Sequence, residues 1–444
     1  MEPGQNTPVS PQSSMPGEAS PEKSKSHAKL IIVIIIGAVV VIAGVIAGII
    51  ALLSQSNAPK AGRDSAFYHN RPGYDPKELG AAIGDPLALT STKTGKVYTA
   101  ESRQVMYACN VITLSDLNTL KAYIAARNDA KGVETTYIDG VGEKGVEPSE
   151  YTLPSPSEDN KCQYSLQSEG FLELSVYQPP FTTQDAISHE LERNYTKTES
   201  MDGVDLYEDK DNEHGAHRYM LALNDTTVQV LFNGTLEYDS KEQQRGLLEV
   251  AAKNIKMLSA SPKGAPVFTY DSPTYKKQFA RACDLVTNGD IKSLTGYDAS
   301  IYATESWASS TGVLPVNGTL YNSIQTACIR QNTGVGSALL SGPFDQELEI
   351  TVTSFSGDEA AKYVMKNTGS DVADRVEMNV GDEGFAYRDT ADQNTVFFRQ
   401  GRFVVELMFD RTAQKNAGLE DTAAMAKKLT PYAEQVAARL KKIE

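Results

Sequence analysis

The densest set of potential ligands in the chain is Asp209-Lys-Asp211-Asn-Glu213-His214-Gly-Ala-His217. Its carboxylates, with two histidines three residues apart, could in principle hold zinc or a harder cation. The glycine is displaced from the place a calcium loop needs, and Met220 stands where the closing glutamate would fall. The segment therefore reads as a solvated turn between strands, and no metal or other cofactor is expected. Hydrolase signatures are missing: no Gly-x-Ser-x-Gly elbow, no His-Glu-x-x-His, no Ser-x-x-Lys beside its partner motifs, and no Gly-rich phosphate loop. Acidic residues are too many to single out a catalytic couple. The lone tryptophan, Trp307, reads as core rather than as a ligand anchor. No catalytic residue is expected.

The four cysteines, Cys109, Cys162, Cys283 and Cys328, are the other reactive groups. No Cys-x-x-Cys spacing occurs and no histidine neighbours a cysteine, which argues against metal or redox chemistry. Four cysteines allow three pairings, and an internal repeat favours one of them. Ala108-Cys109-Asn-Val-Ile-Thr113-Leu-Ser-Asp116-Leu117 matches Ala282-Cys283-Asp-Leu-Val-Thr287-Asn-Gly-Asp290-Ile291. Each stretch is followed by its second cysteine, Cys162 or Cys328. The expected bridges are therefore Cys109 with Cys162 and Cys283 with Cys328, each pinning a helix that carries the first cysteine onto a strand that carries the second.

The elements that must hold these groups follow the same repeat. Leu172-Glu-Leu-Ser-Val176 corresponds to Leu348-Glu-Ile-Thr-Val352, and a short helix opens at Gln184-Asp-Ala186 or Asp358-Glu-Ala360. Hairpins turn at Asn224-Asp225 and at Gln400-Gly401. Each unit closes on apolar residues at helical spacing: Leu248, Ala251, Ile255, Leu258, and Leu429, Ala433, Val436, Leu440.

Ahead of the repeats, Leu30 to Leu53 is an uncharged run of Leu, Ile, Val, Ala, Gly and little else, long enough to span a bilayer core of about 30 Å as a helix. Lys23, Lys25 and Lys29 mark its N-terminal side as cytoplasmic, and all four cysteines lie beyond it. Gly44 and Gly48 form a small-xxx-small pair suited to a homodimer contact. The expected organisation is a disordered cytoplasmic tail over 1–28, a transmembrane helix over 29–53 and a stalk over 54–98. A first repeat over 99–258, a connector over 259–272 and a second repeat over 273–444 follow. The expected fold class is α+β: two tandem repeats, each a mostly antiparallel sheet with packed helices and one disulfide, preceded by a single transmembrane helix. The expected location is the cell membrane, single-pass, with the C-terminal region extracellular.

The repeat motifs resemble those of a family of uncharacterised actinobacterial envelope lipoproteins. Its Cys-Leu-Leu-type helix corresponds to Cys109-Asn-Val-Ile and Cys283-Asp-Leu-Val. Its Cys-x-aromatic strand corresponds to Cys162-Gln-Tyr164, and degenerates to Cys328-Ile-Arg330. Its Gly-Asp-x-Ala-type turn corresponds to Val380-Gly-Asp-Glu-Gly-Phe-Ala386 and, loosely, to Asp202-Gly-Val-Asp-Leu-Tyr207. Here the module is doubled and a hydrophobic helix replaces the lipid-modified cysteine. The resemblance implies an extracytoplasmic module and no reaction.

A formal charge of -15 and no basic block exclude a nucleic-acid partner. The sequence reading is a membrane-anchored, extracytoplasmic, non-catalytic binding or sensor protein of the cell envelope, meeting an envelope protein, glycan or lipid. The alternative is a structural or accessory subunit of a membrane-embedded secretion or wall-assembly complex.

Overall fold

The computed structural model describes residues 83–444, apart from 87, 101, 125–130, 141–145, 148–159, 167–169, 212–215, 234–240, 273, 309, 333–346, 370–373, 389–393 and 410–420. Four short strands come first: β1 (Ile83–Pro86), β2 (Ala88–Thr94), β3 (Thr99–Ala100) and β4 (Arg103–Gln104). The first repeat then runs α1 (Leu114–Thr119), β5 (Lys131–Ile138), β6 (Val146–Glu147), β7 (Lys161–Ser165), β8 (Phe171–Tyr177), α2 (Gln184–Asn194). It ends with β9 (Tyr195–Met201), β10 (Val204–Asp209), β11 (Ala216–Leu223), β12 (Thr226–Asn233) and α3 (Lys241–Ala260). After β13 (Pro266–Asp271) the second repeat has α4 (Asn288–Thr295), β14 (Ala299–Ala308), β15 (Ser310–Val316), β16 (Thr319–Asn332), β17 (Glu347–Phe355) and α5 (Asp358–Gly369). It closes with β18 (Val376–Met378), β19 (Glu383–Arg388), β20 (Asn394–Gln400), β21 (Phe403–Phe409) and α6 (Thr422–Leu440).

The two repeats make the same sheet. In the first, antiparallel neighbours run β5-β7-β8-β12-β11-β10-β9. In the second they run β14-β16-β17-β21-β20-β19-β18. The first strands, β5 and β14, then pair antiparallel with each other, from Val133 opposite Trp307 to Ile138 opposite Tyr302. Both halves thus join in one 17-stranded sheet that also takes in β1, β6 and β15. Strand β1 lies against β15 of the second repeat, and β2 against β13 between the repeats.

Each half is covered on both faces. One face packs Leu172, Leu174, Val228, Val230 and Phe232 under α3, and Leu348, Ile350, Val405 and Leu407 under α6. The opposite face packs Tyr177 and Met220 against Ile187 of α2, and Phe385, Phe397 and Val404 against Ala360 and Val364 of α5. Strands buried on both sides lose the apolar–polar alternation and become runs such as Val396-Phe-Phe398.

Beneath α3 and α6 the chain makes the same local joint twice. Ala108–Asn110 and Ala282–Asp284 are single 3-10 turns. Each leads into a short helix closed by a capping box, Thr113 with Asp116 and Thr287 with Asp290. Asn160 accepts from Ala108 N–H at 3.1 Å and donates to Met106 C=O, while Thr326 accepts from Ala282 N–H at 3.0 Å and donates to Ala280 C=O. The final helices reach back to the caps: Asn254 of α3 donates to Asp116 and Arg439 of α6 to Asp290. Cys109 bonds Cys162, and Cys283 bonds Cys328.

Two expectations require correction. Strand dominates, so the fold is mostly β rather than α+β. The expected first helix of each repeat is only a 3-10 turn and a short helix. The single-pass membrane location also falls, because among the described residues no helix is long and apolar enough to cross a membrane. The longest, α3, is amphipathic: Leu248, Ala251 and Ile255 are buried, while Lys241, Arg245, Glu249 and Lys253 face outward. The stretch 29–53 with Gly44 and Gly48, and the tail 1–28, lie outside the described residues.

Candidate functional site

The junction of β5 and β14 gathers polar groups that a plain sheet would not bury. Glu305 of β14 is 1% exposed, and Arg281 meets it with two parallel bonds, Nε to Oε1 and Nη2 to Oε2, each 2.7 Å. Such a fork gives a desolvated carboxylate the partners it requires. Burial pushes the Glu305 carboxyl up, against the pull of the Arg281 guanidinium. Burial also weakens the Arg281 charge, but Glu305 overrides this and holds the guanidinium above its ordinary value. The same guanidinium reaches Asp284 at 3.2 Å and the Tyr137 hydroxyl, from the first repeat, at 3.4 Å.

A second arginine ties the halves together. Arg330 of β16 donates to Val286 C=O at 2.8 Å, to Asn288 Oδ1 at 2.7 Å, and to Asp139 Oδ2, just past β5, at 3.0 Å. Asp139 also accepts from the Tyr98 hydroxyl at 3.0 Å, and Tyr107 donates to Ile138 C=O at 3.0 Å. Burial is the main cause that pushes the Tyr107 and Tyr137 hydroxyls well above the ordinary phenol value.

These groups wall a half-open cleft of about 200 Å³. The first repeat and the strands before it supply Tyr98, Tyr107, Tyr137 and Asp139; the second supplies Arg281 and Arg330; Ala265 and Val267 give apolar wall between them. Lys96 and Asp284, both exposed and opposite in sign, stand at the rim, with Lys96 Nζ 4.9 Å from the centre of the Tyr98 ring.

The repeat explains the chemistry of the two sides. Tyr107 and Arg281 each stand two residues before the first cysteine of their unit. Tyr137 and Glu305 each follow one of a facing pair, Thr136 and Thr304. Tyrosines in one half thus stand where the other half has an arginine–glutamate pair. Likewise Tyr164 donates to Ile112 C=O at 2.8 Å, and Arg330, two residues after Cys328 as Tyr164 is after Cys162, donates to the matching carbonyl of Val286. Arginine performs the tyrosine's backbone bond with one nitrogen and has two left to reach Asn288 and Asp139.

Of the candidate ligands, the cysteines and the tryptophan singled out in the sequence, Cys283 borders the cleft. Cys109 and Cys162 lie in the core of the first repeat. Trp307 is 1% exposed, its ring set against Phe268, Tyr270 and Phe279 with centroids 5.6–5.9 Å away. Asp209 accepts from Asp211 N–H in a local turn, His217 lies in β11, and residues 212–215 are outside the described set. Among the described residues no group of three or more potential ligands could hold a metal ion. Sequence reasoning missed Tyr98, Tyr137, Asp139, Arg281, Glu305 and Arg330. One signal was available, the departure from the aromatic motif at Cys328-Ile-Arg330.

Fold and cleft define a duplicated, disulfide-bridged, antiparallel sheet protein with a polar cleft where its halves join. No protein-family model, curated protein or solved structure matches the chain.

Proposed function

We propose that this is a non-catalytic binding protein whose ligand sits in the cleft between the two halves of the sheet. The observation that carries the reading is a concave, polar site built by residues of both repeats on a buried, double-sided scaffold. Concave sites with a few convergent polar groups are where small ligands bind, and domain junctions are a preferred place for them. A recognition role suits the side chains better than a reaction. The raised tyrosine hydroxyls stay protonated near neutrality and act in hydrogen bonds rather than as bases: Tyr107 donates to Ile138 C=O and Tyr137 accepts from Arg281. Glu305 is committed to Arg281, and Asp139 to Arg330 and Tyr98. The resemblance to the lipoprotein-like module belongs to the same proposal and is supported by the bridge from each 3-10 turn to its Cys-x-aromatic-type strand.

A small-fragment screen by ligand-observed NMR on the full chain tests this. Hits are expected that compete with one another and lose their signal in Ala265→Phe, which places a ring in the cleft. Hits indifferent to that substitution in a folded variant would refute the site.

A further inference from the structure

We infer that the cleft takes an uncharged, polyhydroxylated ring: a hexose-sized sugar, free or as the end unit of a glycan. The inference rests on the binding role proposed above and names its ligand class.

Charge comes first. Arg281 is paired with Glu305 and Asp284, and Arg330 with Asp139. At the rim Lys96 and Asp284 have opposite signs. The formal charges of these six side chains cancel. An anion or a cation finds no net charge to meet, and exchanging the partner of Arg330 or Glu305 for the ligand would strand a poorly solvated charge, which is costly. A neutral ligand needs no such exchange.

Hydrogen-bonding capacity comes second. A guanidinium has five N–H donors, and the contacts of Arg330 to Val286, Asn288 and Asp139 use three of them. A carboxylate has about four acceptor positions, and on Asp139 two are taken by Tyr98 and Arg330. The wall therefore carries spare donors on Arg330 and spare acceptors on Asp139, which their 3.0 Å ion pair sets side by side. Vicinal hydroxyls, each both donor and acceptor, answer that pattern; a ligand with acceptors alone or donors alone satisfies half of it.

Shape comes third. Half-buried Ala265 and Val267, together with the buried Tyr107, Tyr137 and Ile138, line the same cleft as the ion pairs. A pyranose is amphipathic in the same sense, with C–H faces and a hydroxyl rim. The cleft, at about 200 Å³, is below the span of roughly 300–1,000 Å³ for drug-sized ligands and has room for one such ring. It is half-open, so the ring could carry a longer glycan outward.

The test is saturation-transfer NMR on the full chain with two panels. The neutral panel is glucose, galactose, mannose and myo-inositol; the charged panel is glutamate, glucuronate, glucose 6-phosphate and glucosamine. Wild type, Asp139→Asn and Ala265→Phe are compared, with Trp307 fluorescence as the check on folding. The expected result is a saturable response from at least one neutral compound, weakened tenfold or more in Asp139→Asn and abolished in Ala265→Phe. A response confined to charged compounds and lost in the variants would overturn the sugar assignment while leaving the cleft's binding role intact. Sugar binding equal in all three proteins would overturn both. No response from the neutral panel would overturn the assignment.

Discussion

Thr136 and Thr304 face each other across the junction of the repeats, their hydroxyl oxygens 2.9 Å apart and their Cα atoms in register on antiparallel strands. They are 168 residues apart in sequence. Cross-strand threonine pairs stabilise a sheet by about 0.2–1 kcal/mol. A double-mutant cycle with Thr136→Val and Thr304→Val, read by urea denaturation, should return a coupling in that range. Each single substitution should cost more than half of the double one, because it leaves the other hydroxyl without its partner. Strict additivity would mean that the two residues do not meet.

The bridges close loops of similar length, with cysteines 53 and 45 residues apart. The chain-entropy relation gives about 4 kcal/mol for either. Replacing Cys109 and Cys162 together by serine, or Cys283 and Cys328 together, should lower the unfolding free energy by roughly that amount. A loss below about 1 kcal/mol for either pair would show that it contributes little to the folded state's advantage.

Asp290 caps α4 and accepts from Arg439 of α6 at 2.7 Å. Burial alone would raise its carboxyl, but the bonds from Arg439 and Thr287 hold it below the usual carboxylate value. A depressed folded-state value means that the native state resists protonation more than the unfolded chain does. The contribution is therefore whole above the unfolded value of about 3.9 and fades as pH falls through the lower folded one. Asp290→Ala should cost about 2–4 kcal/mol at pH 7, from the lost cap and the lost charged hydrogen bonds. Melting temperatures of wild type and variant should converge as pH drops below about 3.9. A gap that persists undiminished down to pH 2 would contradict this account.

Trp307 is the chain's sole tryptophan and lies at the end of the β5–β14 pairing, where it joins the core of the first repeat although it belongs to the second. Its fluorescence should be blue-shifted when native, and its unfolding curve should overlay the far-UV circular dichroism curve, since the halves share one sheet. Trp307→Ala should cost about 3–5 kcal/mol. A tryptophan transition distinct from the dichroism transition would show that the halves unfold separately.

The repeat made part of this architecture legible in advance. The paired cysteines, the helices at Gln184 and Asp358, the hairpin turns at Asn224 and Gly401 and the buried faces of α3 and α6 all carry local signatures: spacing, capping residues, helical period. The junction does not. Pairing between Thr136 and Thr304 leaves no mark in either segment alone, and β14 is buried on both faces from Ser306 to Trp307, so its alternation is blurred. The cysteine segments looked helical because Val105, Cys109 and Ile112 recur at helical spacing, yet all three are buried around a 3-10 turn. Arg330 was visible only as a flaw in a motif; its meaning depends on Asp139, a residue from the other half of the sheet.

The β5–β14 register is the claim on which the cleft depends, and engineered cysteines test it directly. Thr136→Cys with Thr304→Cys places two thiols on directly opposed residues, within disulfide reach. Thr136→Cys with Ser306→Cys places them one diagonal step apart, at about 7–8 Å, beyond it. Mild oxidation of the folded proteins followed by peptide mass spectrometry should find the 136–304 link near completion and the 136–306 link at background. Free thiols in the first protein, or efficient linking in the second, would contradict the register and remove the shared cleft with it.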